Sequence, residues 1–501
     1  MGIFANPLTD LLEYEDFSRD FLKGTDPVGM TGCIDSEKVH FMSTFLGEKK
    51  VQLVVTYNEQ RAREIEEDYK LFCSQVYVIP PRDLIFFSAD LQGNAIIAER
   101  MKAFAALYQN EAKVIITTMD ALMSAAVPFE QLMSHVIKLK EGDELDLEKL
   151  KHDLTVMGYE RVGRVEEPGQ FTVHGGIADV YPLTMEVPVR IELWGDEIDT
   201  IRCFEPQSQR SMDQIECVSV FPAAEVIADD TARRRAVGMI QNELESQLAV
   251  FKKAKEPDKA KRLREETNRI LEALGEDVVL EAPDSYISYF YPRTVQLSEY
   301  FDEKNTLVFL DEPMRLKERG DGVQAEFEES MKNRLEQGFL LPGQTALLTP
   351  AKHVLAAFER GQVAALSSLD SRLADFTVVN SYAVNVQNMN TYREGFELLI
   401  KDLTHWKKEK YRIVLLCPSR TRANRIVNQL IEYDLLAYYS EDEDKKINPG
   451  EIMVTYGNLH RGFLYPMLKF AVITESDIFG VKKKKKEKKS HYQGQRISDF
   501  A

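Results

Sequence analysis

Residues 158–204 read GYERVGRVEEPGQFTVHGGIADVYPLTMEVPVRIELWGDEIDTIRCF. Apolar and polar residues alternate along this stretch and a turn falls roughly every eight to twelve positions, the pattern of a small antiparallel sheet. On either side the chain reads instead as apolar strands followed by amphipathic helices. The stretch is therefore an all-β insertion in an α/β chain, and an insertion of this kind is a natural carrier of specificity.

Within it, Val189-Arg190-Ile191-Glu192-Leu193-Trp194 puts Ile191 and Leu193 on one face and Arg190, Glu192 and Trp194 on the other. The first face suits a core. The second sets an arginine, a carboxylate and an indole in a row, and Trp and Arg are enriched among the side chains that dominate protein–protein binding. Spacing leaves two readings open: a docking strip, or a core tryptophan beside a salt-bridged edge. The following turn is open too. A Gly195-Asp196-Glu197 loop sets Arg202 opposite Arg190, whereas a Gly195-Asp196 loop turns it to the other face.

Working outward, a helix is predicted over 11–23, then buried strands at Val51 to Val55, Val76 to Ile79 and Val114 to Thr118, with helices over 58–72 and 97–108 between them. Strand, helix, strand at this spacing implies a parallel doubly wound sheet. Beyond the insertion, helices over 230–253 and 259–274 lead to the apolar run Asn305 to Leu310, which ends in Asp311-Glu312. The rhythm then repeats: a helix over 394–407, a strand at 412–416, a helix over 420–433, and strands at 452–455 and 470–474. The expected division is 1–126 and 223–387 for the two halves of one parallel-sheet lobe, 127–222 for the inserted β domain, 388–480 for a second, small α/β domain, and 481–501 for a basic linker.

At 501 residues, 44% hydrophobic and 29% charged, the composition is that of a soluble globular protein of several domains. No apolar run approaches the roughly eighteen residues of a membrane helix. The start, Met1-Gly2-Ile3-Phe4-Ala5-Asn6-Pro7, has no signal-peptide pattern. A cytoplasmic protein without membrane contact is expected. A net charge of −18 opposes nucleic-acid binding by the chain as a whole, since such binding rests on neutralised phosphates. The dense basic run Lys482 to Lys489 reads as a solvated, self-repelling linker. Cys33, Cys73, Cys203, Cys217 and Cys417 lie far apart without zinc spacing, which points to reduced core thiols and no metal site.

Tyr159-Glu160-Arg161, Pro168-Gly169-Gln170-Phe171, the run Gly175 to Pro182 and the run Arg190 to Arg202 together resemble the sheet domain with which UvrB, the bacterial excision-repair helicase, binds UvrA. They are more similar still to the copy of that domain in the transcription-repair coupling factor family. The resemblance implies that Arg190, Trp194 and Arg202 engage UvrA. His174 stands where the relatives place an arginine, and a neutral imidazole offers one donor where guanidinium offers five.

It also implies a helicase-like lobe whose nucleotide site has decayed. Gly29, Thr31 and Gly32 fit the start of UvrB's G-x-T-G-x-G-K-T, and Ser36 follows at its end, but Ile34 replaces the next glycine and Asp35 the lysine. A branched side chain blocks the backbone's approach to phosphate, and a carboxylate repels it. Lys38, three residues on, reads as too far along the helix to substitute. Asp311-Glu312 resemble the helicase acidic pair, now reduced to a solvated strand end that opens a helix. Too few residues separate Pro80 from Glu99 for UvrB's DNA-clamping hairpin. Arg461-Gly462-Phe463 echo a helicase motif without the arginines that sense ATP.

The family reading is thus a non-catalytic adaptor for UvrA without a cofactor of its own. ATP, magnesium, RNA polymerase and DNA are expected to belong to further domains of the family, one of which masks the UvrA face in the resting protein. The alternatives are a working UvrB-like repair helicase and an internal scaffold.

Overall fold

The computed structural model describes residues 7–480 apart from 49, 83–91, 276–282, 371–375, 394 and 443–444. The basic run Lys482 to Lys489 lies outside the described residues, as does much of the segment between Pro80 and Glu99 on which the absent hairpin was read. The chain divides after Asn385 into two compact units.

The first unit is built on a seven-stranded parallel sheet. Its upstream strands are β1 (Val28–Thr31), β2 (Val51–Thr56), β3 (Val76–Ile79) and β4 (Val114–Thr118). Helices α1 (Leu12–Lys23), α2 (Asp35–Ser43), α3 (Glu59–Tyr69) and α4 (Gln92–Tyr108) accompany them.

Between β4 and the remaining strands comes the insertion. It begins with β5 (Ile137–Lys140) and α5 (Leu147–Val156) and continues through β6 (Glu160–Arg161), β7 (Gln170–His174), β8 (Ile177–Val180), β9 (Val189–Trp194), β10 (Glu197–Phe204), β11 (Ser211–Gln214) and β12 (Cys217–Val220). Its six-stranded sheet runs β11-β10-β9-β8-β7-β6. The entering β5 pairs antiparallel with the leaving β12, so the insertion is tied off at its base. One face of the sheet is a core in which Leu150 and Leu154 of α5 meet Phe171, Val180, Ile191 and Ile201. Asp146 starts α5 by accepting from the amides of Glu148 and Lys149.

The long helices α6 (Asp230–Ala254) and α7 (Pro257–Gly275) follow, then β13 (Thr306–Asp311), α8 (Pro313–Glu336), β14 (Val363–Ser367) and β15 (Asn380–Ala383). Across the parallel sheet the order is β15-β1-β14-β13-β2-β4-β3. β1 is thus hydrogen-bonded on both sides to strands that arrive more than three hundred residues later, and the two halves of the chain close into one lobe around the insertion. β13 is buried along its whole length, as a central parallel strand covered on both faces must be. Phe17, Phe21, Phe41, Phe45 and Phe309 pack against one another in edge-on and tilted contacts.

The second unit carries β16 (Gln387–Asn388), α9 (Phe396–Lys408), β17 (Arg412–Cys417), α10 (Arg420–Glu432), β18 (Ala437–Tyr439), β19 (Ile452–Tyr456), β20 (Phe463–Tyr465) and β21 (Phe470–Thr474), in the sheet order β16-β20-β21-β17-β19-β18. The two edge strands β16 and β18, and β20 beside the first of them, are too short to leave a sequence pattern. The cysteines depart from the expectation: Cys33, Cys203 and Cys417 are buried, but Cys73 is half-buried and Cys217 exposed. Alternation along β12 sends Val218 and Val220 inward and Cys217 out.

Candidate functional site

Two places in the first unit hold the residues singled out by sequence. On the outer face of the inserted sheet, antiparallel pairing sets Thr172, Asp179, Arg190, Arg202 and Gln214 in one row across β7 to β11. The next row toward the β9–β10 turn is His174, Ile177, Glu192 and Thr200. Trp194 follows at the turn itself, opposite Glu197.

The turn resolves the open choice by a third route. Trp194 pairs with Glu197, so the loop is Gly195-Asp196, with Gly195 at a left-handed φ of 67°. That loop alone would face Arg202 into the core. A register shift leaves Asp199 between the pairs Glu192–Thr200 and Leu193–Ile198, and this one-residue bulge returns Arg202 to the outer face, opposite Arg190.

Like charges directly opposed in a sheet are unfavourable, and Asp179 relieves the clash. Arg190 donates from Nε and Nη2 to the two carboxylate oxygens of Asp179, each at 2.8 Å, with the Asp179 side chain 8% exposed. These bonds hold the guanidinium above its ordinary pKa. Its flat side lies 4.8 Å from the centre of the buried Phe204 ring, a cation–π contact. Arg202 has no carboxylate partner among the described residues, and its Nε is buried without an acceptor. Trp194 is 85% exposed, so the core-tryptophan reading does not hold. Ile177 is exposed beside it, and His174 lies exposed at the β7–β8 turn.

The second place is the carboxyl end of the parallel sheet, where the sequence pointed to a decayed nucleotide loop. Gly29 and Thr31 belong to β1 rather than to a loop, and the Thr31 hydroxyl donates to the Tyr382 carbonyl at 3.1 Å. Gly32 turns the chain at φ 84°, where a Cβ would stand 2.0 Å from the Val384 carbonyl oxygen. The amides that follow are engaged: Cys33 N–H donates to the Ser367 carbonyl at 3.2 Å, and Ile34 N–H to the carboxylate of Glu37 at 3.1 Å. Glu37, fully buried, thereby supplies an internal acceptor at the start of α2. Asp35 opens α2 at φ 26°, with its carbonyl accepting from Arg61 at 2.8 Å, and Ser36 is buried.

Here two expectations are corrected. Lys38 is not too far away: three residues along a helix bring a side chain back to the same face, leaning toward the amino end. Its Nζ sits 2.7 Å from Asp311 and 2.6 Å from Glu312, with 3% of the side chain exposed. Nor are Asp311 and Glu312 a solvated strand end. Asp311 is buried and also accepts from Thr56 at 2.8 Å and Arg61 at 3.3 Å, while Glu312 accepts from the amide and hydroxyl of Ser368. They do open a helix, since α8 starts at Pro313. Burial would push the Lys38 ammonium down, but the two carboxylates outweigh it and hold it above the usual lysine range. Burial would likewise raise Asp311, yet Lys38 and Arg61, with hydrogen bonds from Lys38 and Thr56, bring it down to about 2.

Sequence reasoning therefore missed Glu37, Thr56, Arg61, Asp179 and Phe204. Glu37 carried a usable signal, an acid three residues into a helix start. Arg61 carried none, because its partner Asp311 lies 250 residues away.

Comparison with known proteins agrees with this arrangement. The family model of the UvrB interaction domain matches residues 137–225, which is the inserted sheet, and that of the MFD D3 domain matches residues 405–478 in the second unit. The transcription-repair-coupling factor of Bacillus subtilis is 28% identical over 99% of this chain and 42% of its own length. That of Staphylococcus epidermidis is 27% identical over 98% of this chain and 41% of its own, and that of Staphylococcus haemolyticus 28% identical over 94% and 40%. The chain thus spans about two fifths of the length of these curated relatives. Among the described residues no helix is long and apolar enough to cross a membrane. With both domains present in one chain and the match running along nearly all of it, the chain is similar throughout to the amino-acid sequences of transcription-repair-coupling factors.

Proposed function

We propose that this chain is a non-catalytic adaptor that docks UvrA through the outer face of its inserted sheet. The observation that carries the reading is Trp194, 85% exposed at the turn end of the face that also presents Arg190 and Arg202. A wide aromatic surface beside a fixed guanidinium is the chemistry of an interface anchor. Arg190, clamped by Asp179, serves as the rigid floor of that face. Arg202 is the cation left for a partner's carboxylate, and His174 adds a weaker polar contact at the rim.

The non-catalytic half of the reading rests on the strand-end site. A nucleotide needs free loop amides for its phosphates and a free cation to meet their charge. Here Glu37 takes the Ile34 amide, and Asp311 and Glu312 hold the Lys38 cation. On this reading the whole protein releases RNA polymerase stalled at DNA lesions and recruits excision repair in the cytoplasm. Its ATP, magnesium, RNA polymerase and DNA are handled outside this chain, and another of its domains masks the UvrA face at rest.

Two titrations test the proposal. UvrA binds the chain saturably, and Arg190→Glu abolishes that binding, a loss of roughly 2–5 kcal/mol for a charged anchor. A fluorescent ATP analogue with magnesium gives no binding signal and no turnover. Nucleotide hydrolysis by this chain would restore the repair-helicase reading, and failure to bind UvrA would leave the sheet an internal scaffold.

A further inference from the structure

Folding creates a second strongly charged surface, far along the chain from the inserted sheet. Between Lys252 and Arg264 there are seven lysines and arginines against two acids, in a chain whose formal charge is −18. Lys255 ends α6 in the left-handed conformation, φ 59°, and the chain turns straight back into α7. The basic residues therefore gather at the tip of a two-helix hairpin.

Some of them are engaged. Lys259 pairs with Glu256 at 2.9 Å, and Arg262 donates to the Gln337 carbonyl and lies 4.5 Å from the Phe339 ring centre. Lys261 reaches Glu265 only at 3.8 Å. Lys252, Lys253, Lys255 and Arg264 are exposed and have no ion-pair partner among the described residues.

Between the helices at this tip lies a groove of about 450 Å³. Leu248, Ala249 and Ala260 supply its apolar lining, and Lys252, Lys255, Lys261 and Arg264 its cationic lining. Its one acidic lining residue, Glu256, is the one held by Lys259. From Leu248 to Lys255 the groove covers two turns of α6, about 10 Å at the helical rise.

A groove of this length with both apolar and cationic lining matches a short amphipathic helix with acidic flanks. A nucleic acid would use the cations and leave the apolar lining uncovered, and would meet the repulsion of the remaining negative chain. We propose that the α6–α7 tip is a docking groove for an acidic amphipathic helix of a partner protein, separate from the Trp194 face and independent of the UvrA reading.

The test uses the whole chain and a labelled, helix-stabilised peptide with leucines along one face and glutamates beside them, followed by fluorescence anisotropy. The peptide binds, and binding weakens as salt screens the exposed charges. It falls about tenfold or more with K252E/R264E, and similarly when the peptide's leucines become serines. Trp194→Ala leaves it unchanged, which separates this groove from the UvrA face. The proposal is overturned if the peptide does not bind or if binding survives K252E/R264E in a chain with an unaltered melting curve. It is equally overturned if a short DNA duplex binds the same lysines more tightly than the peptide.

Discussion

The carboxyl end of the parallel sheet and the outer face of the inserted sheet both place cations against carboxylates, yet they close their accounts of charge differently. At the strand end Lys38 and Arg61 meet Asp311 and Glu312 in a largely buried cluster, and Glu37 answers the loop amide. Each of these named groups has an internal partner, which on the proposed reading leaves it unavailable to a ligand. On the inserted sheet Asp179 matches Arg190 alone. Arg202, paired across from Arg190, stays uncompensated, and Trp194 stands in solvent. Binding capacity follows from what a site leaves unmatched: the closed site holds the lobe together, and the open one is available to a partner.

The contrast can be broken most forcefully at Lys38. Lys38→Met strands two carboxylates in the interior and lowers unfolding stability by about 3–5 kcal/mol in urea melts, the cost of removing one partner of a buried pair. Adding Asp311→Asn and Glu312→Gln to Lys38→Met recovers much of that loss. A stability unchanged by Lys38→Met would mean that the network is solvated and open.

Acid sharpens the same contrast by about 2 kcal/mol. Asp311 has a folded pKa of about 2 against roughly 3.9 in the unfolded chain, so its contribution is present above pH ~4 and disappears as pH falls toward 2. Urea melts between pH 5 and 2.5 follow that loss, and in Asp311→Asn the corresponding slope is absent. The smallest effect lies on the open face. His174→Arg adds a permanent cation and more donors at its rim and strengthens UvrA binding by up to about 1 kcal/mol, with the melting curve unmoved.

Much of the fold was legible because buried parallel strands announce themselves. Leu53 to Val55, Val114 to Ile116 and Leu307 to Leu310 are continuous apolar runs, and the alternation between Gly158 and Phe204 could belong to little else than an antiparallel sheet. The exposed tryptophan was half legible, since spacing gave its face but not what covers that face. The side of Arg202 was not, because it depends on a bulge at Asp199 that has no side-chain signature.

Lys38 was misjudged by counting residues along a helix instead of turns around it. The strand-end acids were misjudged for a related reason: Arg61 and Thr56 come from other elements, and only the assembled sheet brings them to Asp311. The basic tip of α6–α7 escaped notice because Glu256 and Asp258 interrupt its run. Folding then separates the engaged charges from the free ones.

The most direct measurement is calorimetric titration of UvrA into this chain and into its Trp194→Ala variant. Because the indole is solvent-exposed, the variant melts like the parent, so any change in binding belongs to the interface. The account predicts saturable binding by the parent and a loss of about 2 kcal/mol or more in the variant. Equal affinities for the two proteins would contradict it.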